Sequence, residues 1–259
     1  GINDFIAGFL LSVLSYKSTN VTLNSLAFLI YSILAFGGQL PAGILVDKIK
    51  NIKSLSLMAL SLMLTAVVLS YFNIFAAIVF SGFASAFIHV CGGAACYVSD
   101  QKNVTIAGIF TSPGVVGLIV GGIAGTMHFE YFYLFALPIG MLLYILVRTN
   151  IPSYSMIKEN KDEPLLDTHD FFMLVLLLAI AFRSLIWNVL HMMCYSDTNW
   201  LLGIAFSAAA GKLAGGFISD KVDWKKFVFI TTVGAAIFLN FGKQFFPIFC
   251  IGVALLQSA

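Results

Sequence analysis

A short pattern that occurs twice constrains the fold of this chain more than any other feature of its sequence. The first copy is Gly43-Ile-Leu-Val-Asp47-Lys48-Ile-Lys-Asn-Ile-Lys53, and the second is Gly216-Phe-Ile-Ser-Asp220-Lys221-Val-Asp-Trp-Lys-Lys226. Both read G-x-[LI]-x-D-K-[IV]-x-x-x-K, and each joins two apolar runs. Because self-similarity at fixed spacing is the signature of an internal repeat, these two motif copies predict two similar bundles.

The composition places these bundles in a membrane. Hydrophobic residues make up 60% of the chain and charged residues only 10%, whereas a soluble domain has about 45–50% apolar and about 25% charged residues. An all-α integral membrane protein is therefore predicted. A spanning helix needs about 20 apolar residues, and ten apolar runs are found at 1–16, 24–46, 53–72, 75–98, 104–126, 130–149, 170–194, 199–219, 225–241 and 245–259. The first and last runs lack flanking charge, so we expect both to be truncated.

The basic residues are distributed unevenly between the connections. One alternate set of connections holds ten of them: Lys48, Lys50, Lys53, Lys102, Arg148, Lys158, Lys161, Lys221, Lys225 and Lys226. The other set holds only Lys17 and Lys243. By the positive-inside rule the first set is cytoplasmic. The sequence thus predicts a multi-pass protein of the plasma membrane with a cytoplasmic amino terminus and central loop.

The longest connection divides the chain. It covers residues 150–169, is polar and charged, and falls between the sixth and seventh apolar runs. Long loops inside compact units are uncommon, so we interpret this one as a linker and not as an ordinary loop. The predicted organisation is an N-terminal six-helix bundle at 1–149, a cytoplasmic linker at 150–169, and an incomplete C-terminal bundle of about four helices at 170–259.

With these features the chain resembles the major facilitator superfamily of transporters. The family signature, G-x-L-x-D-[RK]-x-G-R-[RK]-[RK], lies between its second and third helices, with a weaker copy between the eighth and ninth. The residues that match the two copies are Gly43, Leu45, Asp47, Lys48, Gly216, Ile218, Asp220 and Lys221. The Gly-Arg of the signature is replaced by Lys50-Asn51 and by Asp223-Trp224. The resemblance implies two pseudo-symmetric six-helix bundles, of which about ten helices are present, and a monomer.

The motif copies carry the candidate gating residues. Gly43 and Gly216 are expected to let neighbouring helices approach closely. Asp47 and Asp220 end a helix and can accept hydrogen bonds from the start of another. The resemblance implies that these charges latch the two halves in one state and release them in the other. It therefore assigns conformational gating, and not substrate contact, to Gly43, Asp47, Lys48, Gly216, Asp220 and Lys221. For the lysines, simple positive-inside anchoring is an equal alternative.

One face of the seventh run carries candidate substrate ligands. Arg183 lies near mid-membrane, with Trp187 and His191 at i+4 and i+8 on the same face and Asn188 adjacent. An ionisable residue in a bilayer costs about 2.5–3.5 kcal/mol on insertion scales, so such residues usually mark a pathway. A cation beside an aromatic ring and a histidine suits an anionic or zwitterionic substrate. The alternative is a buried ion pair, with Asp4 as the partner across the two halves.

Three further residues complete the predicted substrate site: Asn3, Gln39 and Lys212. Lys212 precedes Asp220 by the same interval by which Gln39 precedes Asp47. Snorkelling to the cytoplasmic interface is the favoured interpretation for the Lys212 side chain. The pair Asn3-Asp4 resembles a dipeptide in the first helix of some drug-exporting members of the family.

Asp4 and His89 are the candidate proton carriers. His89 stands where members of the family commonly have an arginine in the fourth helix, and the unperturbed pKa of histidine lies near neutrality. The alternatives are an Asp4 near the membrane interface and a His89 that is simply hydrogen-bonded to a neighbour. Gly117, Gly121 and Gly125 on the fifth run predict a close-packing face. The proline of the antiporter motif is missing there, so antiport is not inferred.

The predicted function is secondary active transport of a small solute, with an anionic or zwitterionic solute and proton coupling as hypotheses. The alternatives are an efflux pump for drugs or metabolites and, from another class, a polytopic membrane enzyme or a non-transporting receptor. The sequence contains no catalytic constellation, so no enzyme is predicted.

A soft-metal site at His191 and Cys194 is disfavoured, and all four cysteines are interpreted as packing residues. Neither a cofactor nor a metal is expected; the expected partners are a small-molecule substrate, protons and the lipid bilayer, without nucleic acid.

Overall fold

The computed structural model describes nearly all of the predicted first bundle and most of the second. The residues described are 1–18, 20–100, 103–127, 132–149, 197–241 and 244–258, together with the pairs 182–183, 186–187, 189–190 and 193–194. Within these residues every regular element is helical. The predicted linker at 150–169 and most of the seventh run lie outside them, and the four described pairs of that run are helical.

Nine helices can be delimited in the described residues. They are α1 (Ile2–Lys17), α2 (Val21–Ile49), α3 (Ile52–Leu69), α4 (Ile74–Ser99), α5 (Thr105–Thr126), α6 (Ala136–Arg148), α7 (Thr198–Ser219), α8 (Trp224–Asn240) and α9 (Phe246–Ser258). Within α2, a π-helical segment at Ile33–Gly37 joins two α-helical parts. A 3-10 turn at Phe132–Phe135 leads into α6.

Polar residues in the connections determine where the helices begin. The side chains of Asn20, Asn51 and Asn73 accept hydrogen bonds from backbone N–H groups in the first turns of α2, α3 and α4. Asp197 and Asp223 do the same for α7 and α8. Such caps satisfy N–H groups that have no partner inside the helix. The apolar runs therefore start as helices within a few residues of their predicted bounds.

Among the described residues, five helices are long and apolar enough to cross a membrane: α2, α3, α4, α5 and α7. This finding indicates a membrane location. The other four are shorter, with 16 residues in α1, 13 in α6, 17 in α8 and 13 in α9. The predicted run 130–149 thus contains a helix shorter than expected. Pro138 contributes to the late start of α6, because proline has no N–H and favours the first turn of a helix.

Helix contacts place α5 between the two halves. It packs on α1 from the first half and on α7 from the second. A Cβ atom added at Gly125 would lie 2.7 Å from the Phe9 carbonyl oxygen, and Cβ atoms at Gly117 and Gly121 would overlap the backbone of α1. The predicted close-packing face is therefore confirmed, and it faces α1.

The helix ends define two ends of the molecule. We call one of them the basic end. The helices α2, α4, α6 and α7 finish there, and α3, α5 and α8 begin there. Lys53 Nζ there donates to the Val147 carbonyl at 2.8 Å. At the opposite end, the Tyr133 N–H donates to the Tyr71 hydroxyl at 3.0 Å. These two contacts fasten α3 to α6, and the α3–α4 turn to the 3-10 turn before α6.

Candidate functional site

Asp4 and His89 form a pair inside the first half. His89 Nε2 of α4 lies 3.4 Å from Asp4 Oδ1 of α1, and the Asp4 side chain is only 15% exposed. His89 precedes the end of α4 at Ser99 by ten residues, which is about 15 Å at 1.5 Å per residue. The pair therefore lies well inside the bundle, and the interfacial alternative for Asp4 is not supported.

A buried polar network surrounds this pair. Asn3 Nδ2 of α1 donates to Ser85 Oγ of α4 at 3.1 Å. Asn3, Tyr31, Ser81 and Ser85 are all buried. Asn3 Oδ1 and Ser81 Oγ have no hydrogen-bond partner among the described residues. A buried polar atom without a partner costs about 1–3 kcal/mol, so this network is costly to maintain.

Sequence reasoning missed Tyr31, Ser81 and Ser85. Ser81, Ser85 and His89 are spaced four residues apart on α4, so they share one face of the helix. That spacing was visible in the sequence. Serine is common in membrane helices, however, and only the contact with Asn3 distinguishes Ser85 from the others.

The second half contributes two cations to the same region. Lys212 lies on α7 and Arg183 in the described helical pair 182–183, and both are half-buried. Asp4 and Lys212 both lie against α5. Gly114 is beside the Asp4 carboxylate, and Gly108 is beside the Lys212 carbonyl, about 9 Å away along α5. The Lys212 charge is thus within electrostatic reach of the acid in α1. The side chain that contacts the Asp4 carboxylate is His89.

Gly114 of α5 leaves space for the Asp4 carboxylate. A Cβ atom at Gly114 would lie 3.1 Å from Asp4 Oδ2. A larger residue at this position would press on the carboxylate, so a glycine here keeps room beside Asp4.

Two other predicted ligands that the structure describes, Trp187 and Gln39, have contacts away from the Asp4–His89 pair. Trp187 is half-buried and packs against the core of the second half. The Gln39 amide donates to the Ala35 carbonyl of its own helix at 3.1 Å, next to the π-helical segment. Asn188 and His191 lie outside the described residues.

The second motif copy makes a contact between the halves at the basic end. Asp220 Oδ1 accepts from the Val104 N–H at 2.6 Å, and Asp220 Oδ2 accepts from the Thr105 N–H at 3.1 Å. The Thr105 hydroxyl also donates to Asp220 Oδ2. The hydroxyl bond from Thr105, followed by the N–H bond from Val104, lowers the pKa of the Asp220 carboxyl below its ordinary value of 3.8. The carboxylate thus caps the start of α5, where the helix dipole favours negative charge.

Glycines allow this contact. A Cβ atom at Gly216 would lie 3.1 Å from Thr105 Cα, and one at Gly108 would lie 2.7 Å from the Lys212 carbonyl oxygen. The backbones of α5 and α7 therefore meet directly below the Asp220 cap. Thr105, which donates the hydroxyl bond, was not identified by sequence reasoning.

The first motif copy makes no equivalent contact. A Cβ atom at Gly43 would have no described atom within 4 Å, so the expected close helix approach is not seen there. Asp47 and Lys48 are exposed, and neither side chain has a hydrogen bond or ion pair in the part of the chain that the structure describes. The two copies are alike in sequence and different in their surroundings.

No family model matches this chain, and no curated protein matches it at a significant level. The resemblance to the major facilitator superfamily therefore rests on the two motif copies and the charge distribution in the sequence.

Proposed function

We propose that this protein is a secondary active transporter of the major facilitator type that moves a small anionic or zwitterionic solute by alternating access. The observation that supports the proposal is the presence of ionisable residues inside membrane helices of both halves. Asp4 and His89, which are in contact, belong to the first half, and Lys212 and Arg183 belong to the second. Ionisable groups inside membrane helices are costly and usually line a pathway or cavity. In transporters with repeated bundles, substrate sites lie between the repeats near mid-membrane.

The charge balance favours an anion on the side of the second half. Arg183 and Lys212 supply two positive charges, and Asp4 supplies one negative charge. An anionic group bound between Arg183 and Lys212 would neutralise the excess. A zwitterion would in addition place its cationic group towards Asp4. Trp187, Asn188 and His191 belong to the same proposed wall, and Asn3 fixes α1 against α4.

Asp4 and His89 are the proposed proton carriers. The histidine nitrogen and the carboxylate are in contact, so a proton on either group changes the charge seen by Lys212. The unperturbed pKa of histidine lies near neutrality. Protonation of the pair would weaken the attraction between Asp4 and the Lys212 ammonium. Lys212 would then be available to an anionic solute, and this would couple proton binding to solute binding.

The contact of Asp220 with the start of α5 is the proposed gate. In the conformation described here it holds α5 and α7 together at the basic end. Its release would let these two helices separate and would open the charged region towards that end. The two motif lysines, Lys48 and Lys221, are exposed at the basic end and would anchor that end at the membrane face.

A thermal-shift screen of the purified protein tests the substrate class. The ligands are small organic anions, amino acids, sugars and lipophilic cations, because a ligand that binds the native state raises its apparent stability. We expect an anion or amino acid to raise the Tm of the wild type and of the Lys226→Gln control, and not of Arg183→Ala or Lys212→Gln. Stabilisation by lipophilic cations alone, unchanged in Arg183→Ala, would refute the proposed substrate class and favour drug efflux.

Proton coupling is tested in proteoliposomes with the solute found in that screen. In Asp4→Asn and His89→Ala, uptake or efflux should lose its dependence on an imposed pH gradient, while exchange of labelled for unlabelled solute continues. Ser61→Ala on the exposed face of α3 is the control. Unchanged gradient dependence in both variants would exclude these residues as the proton carriers.

A further inference from the structure

The opposite end of the first half contains a pocket outside the proposed transport path. Its volume is about 340 Å³, and its walls come from α1, the α3–α4 turn, α5 and the 3-10 turn before α6. Residues that matter for its chemistry are Phe9, Val13, Lys17, Tyr71 and Phe132. Pockets that hold small ligands measure about 300–1,000 Å³. This one is therefore large enough for a small ligand or for part of a longer one.

The walls of the pocket are held by contacts of their own. The rings of Phe9 and Phe132 stack with centroids 4.1 Å apart and planes 4° from parallel, and Phe132 is buried. On the other side, the Tyr71 hydroxyl accepts from the Tyr133 N–H at 3.0 Å. That bond fixes the α3–α4 turn against the segment before α6. The pocket thus does not depend on an occupant to keep its shape.

The pocket has one charge and several aromatic surfaces. Lys17 is the only charged side chain among its described lining residues. The Lys17 ammonium has no hydrogen-bond or ion-pair partner among the residues that the structure describes. Tyr71 accepts one hydrogen bond and keeps its hydroxyl proton as a donor. A cation and a hydroxyl donor beside aromatic walls complement an anionic head attached to an apolar body.

We propose that this pocket binds an amphipathic anion, with a carboxylate or phosphate at Lys17 and the apolar body against Phe9, Val13 and Phe132. Lys17 follows Asp4 by thirteen residues on α1, which is about 20 Å along the helix. The site is therefore separate from the charged region between the halves. Two sources carry this chemistry: a soluble amphipathic anion and an anionic phospholipid of the surrounding bilayer.

Titration of decanoate onto the protein in phosphatidylcholine nanodiscs tests the proposal, with the Tm as the readout. Decanol and decyltrimethylammonium provide the neutral and cationic probes of the same chain length. Decanoate should raise the Tm more than either of them. Lys17→Gln should weaken decanoate binding about tenfold, as expected for loss of a charge-assisted hydrogen bond. Val13→Phe, which fills the pocket, should remove the shift, and the Lys226→Gln control at the basic end should keep it.

Nanodiscs that contain phosphatidylglycerol distinguish the two sources. If this lipid raises the Tm through Lys17 and removes the decanoate shift, the anion is a phospholipid. If it does neither, the anion is soluble. The proposal is wrong if decanoate gives no shift, if decanol or decyltrimethylammonium shifts the Tm equally, or if Lys17→Gln and Val13→Phe both leave the decanoate shift unchanged.

Discussion

The two motif copies have the same pattern and different environments. In the second copy, Asp220 accepts three hydrogen bonds from the start of α5, and Gly216 lies against the α5 backbone. In the first copy, Asp47 is exposed and Gly43 faces open space. A carboxylate at a helix end can cap another helix only where that helix begins beside it. The motif therefore supplies the acceptor, and the neighbouring helix decides whether the contact forms.

The turns after the two copies differ as well. Lys50 ends α2 with φ 55°, a left-handed conformation that glycine adopts more readily. The family signature has glycine at this position. In the second copy the corresponding Asp223 has φ −53° and caps α8 by accepting from the Lys225 and Lys226 N–H groups. One position thus serves as a strained turn in the first copy and as a helix cap in the second.

The largest expected difference between the copies concerns their glycines. Gly216→Leu would force side-chain atoms between the α5 and α7 backbones and should destabilise the protein by about 3 kcal/mol or more. Gly43→Leu enters open space and should change stability by less than about 1 kcal/mol. Thermal unfolding of the purified variants measures both. Equal losses of stability would show that the first copy is packed as tightly as the second.

The aspartates should differ in their effect on access from the basic end. In a variant whose four cysteines are replaced by alanine, Ser112→Cys on α5 reports access by its rate of reaction with a water-soluble maleimide. Asp220→Asn should raise that rate by about fivefold or more, within the range of typical coupling between sites. Asp47→Asn should leave it unchanged. If Asp47→Asn raised the labelling rate and Asp220→Asn did not, the contact of Asp220 with the start of α5 would not be what limits access from the basic end.

Thr105 should contribute less than Asp220, because Thr105→Ala removes one of three donors. The Val104 and Thr105 N–H groups would still bind the carboxylate. Because only one of the three hydrogen bonds is lost, the labelling rate should rise less than in Asp220→Asn. Thr105→Ser keeps the hydroxyl and is the matched control. A rate for Thr105→Ser equal to that of Thr105→Ala would assign the effect to the methyl group.

The smallest effect is expected from pH. Because the folded-state pKa of Asp220 is lowered, its contribution to stability is complete above the unfolded-state pKa of about 3.9 and is lost as the pH falls through the lower folded-state value. The Tm difference between wild type and Asp220→Asn should therefore stay constant from pH 8 to pH 5. A difference that shrinks within that range would contradict the low pKa and make this contact a proton switch.

Much of the helix pattern was predictable. The runs 53–72, 75–98, 104–126 and 199–219 match α3, α4, α5 and α7 within a few residues. Apolar length and the polar residues between the runs are local properties, so they can be read without a structure. The π-helical segment in α2 was not predicted, because its residues are as apolar as the flanking turns.

The candidate site was predictable only in part. Asp4, His89, Arg183 and Lys212 stood out because a charge is rare in an apolar run. Ser85, Tyr31 and Thr105 did not, since a hydroxyl in a membrane helix gives no signal until its partner is known. Ser85 matters through its contact with Asn3, and Thr105 through its contact with Asp220, in each case a residue of another helix or helix end.

The sequence by itself determined the all-helical membrane class, the repeat and the positions of the rare charges. These depend on composition and spacing along the chain. Only the tertiary structure decided that Asp4 pairs with His89, that α5 lies between the halves, and that Asp220 rather than Asp47 caps a helix start. Such contacts require two segments distant in sequence to meet within about 3 Å, and nothing in either segment alone specifies that distance.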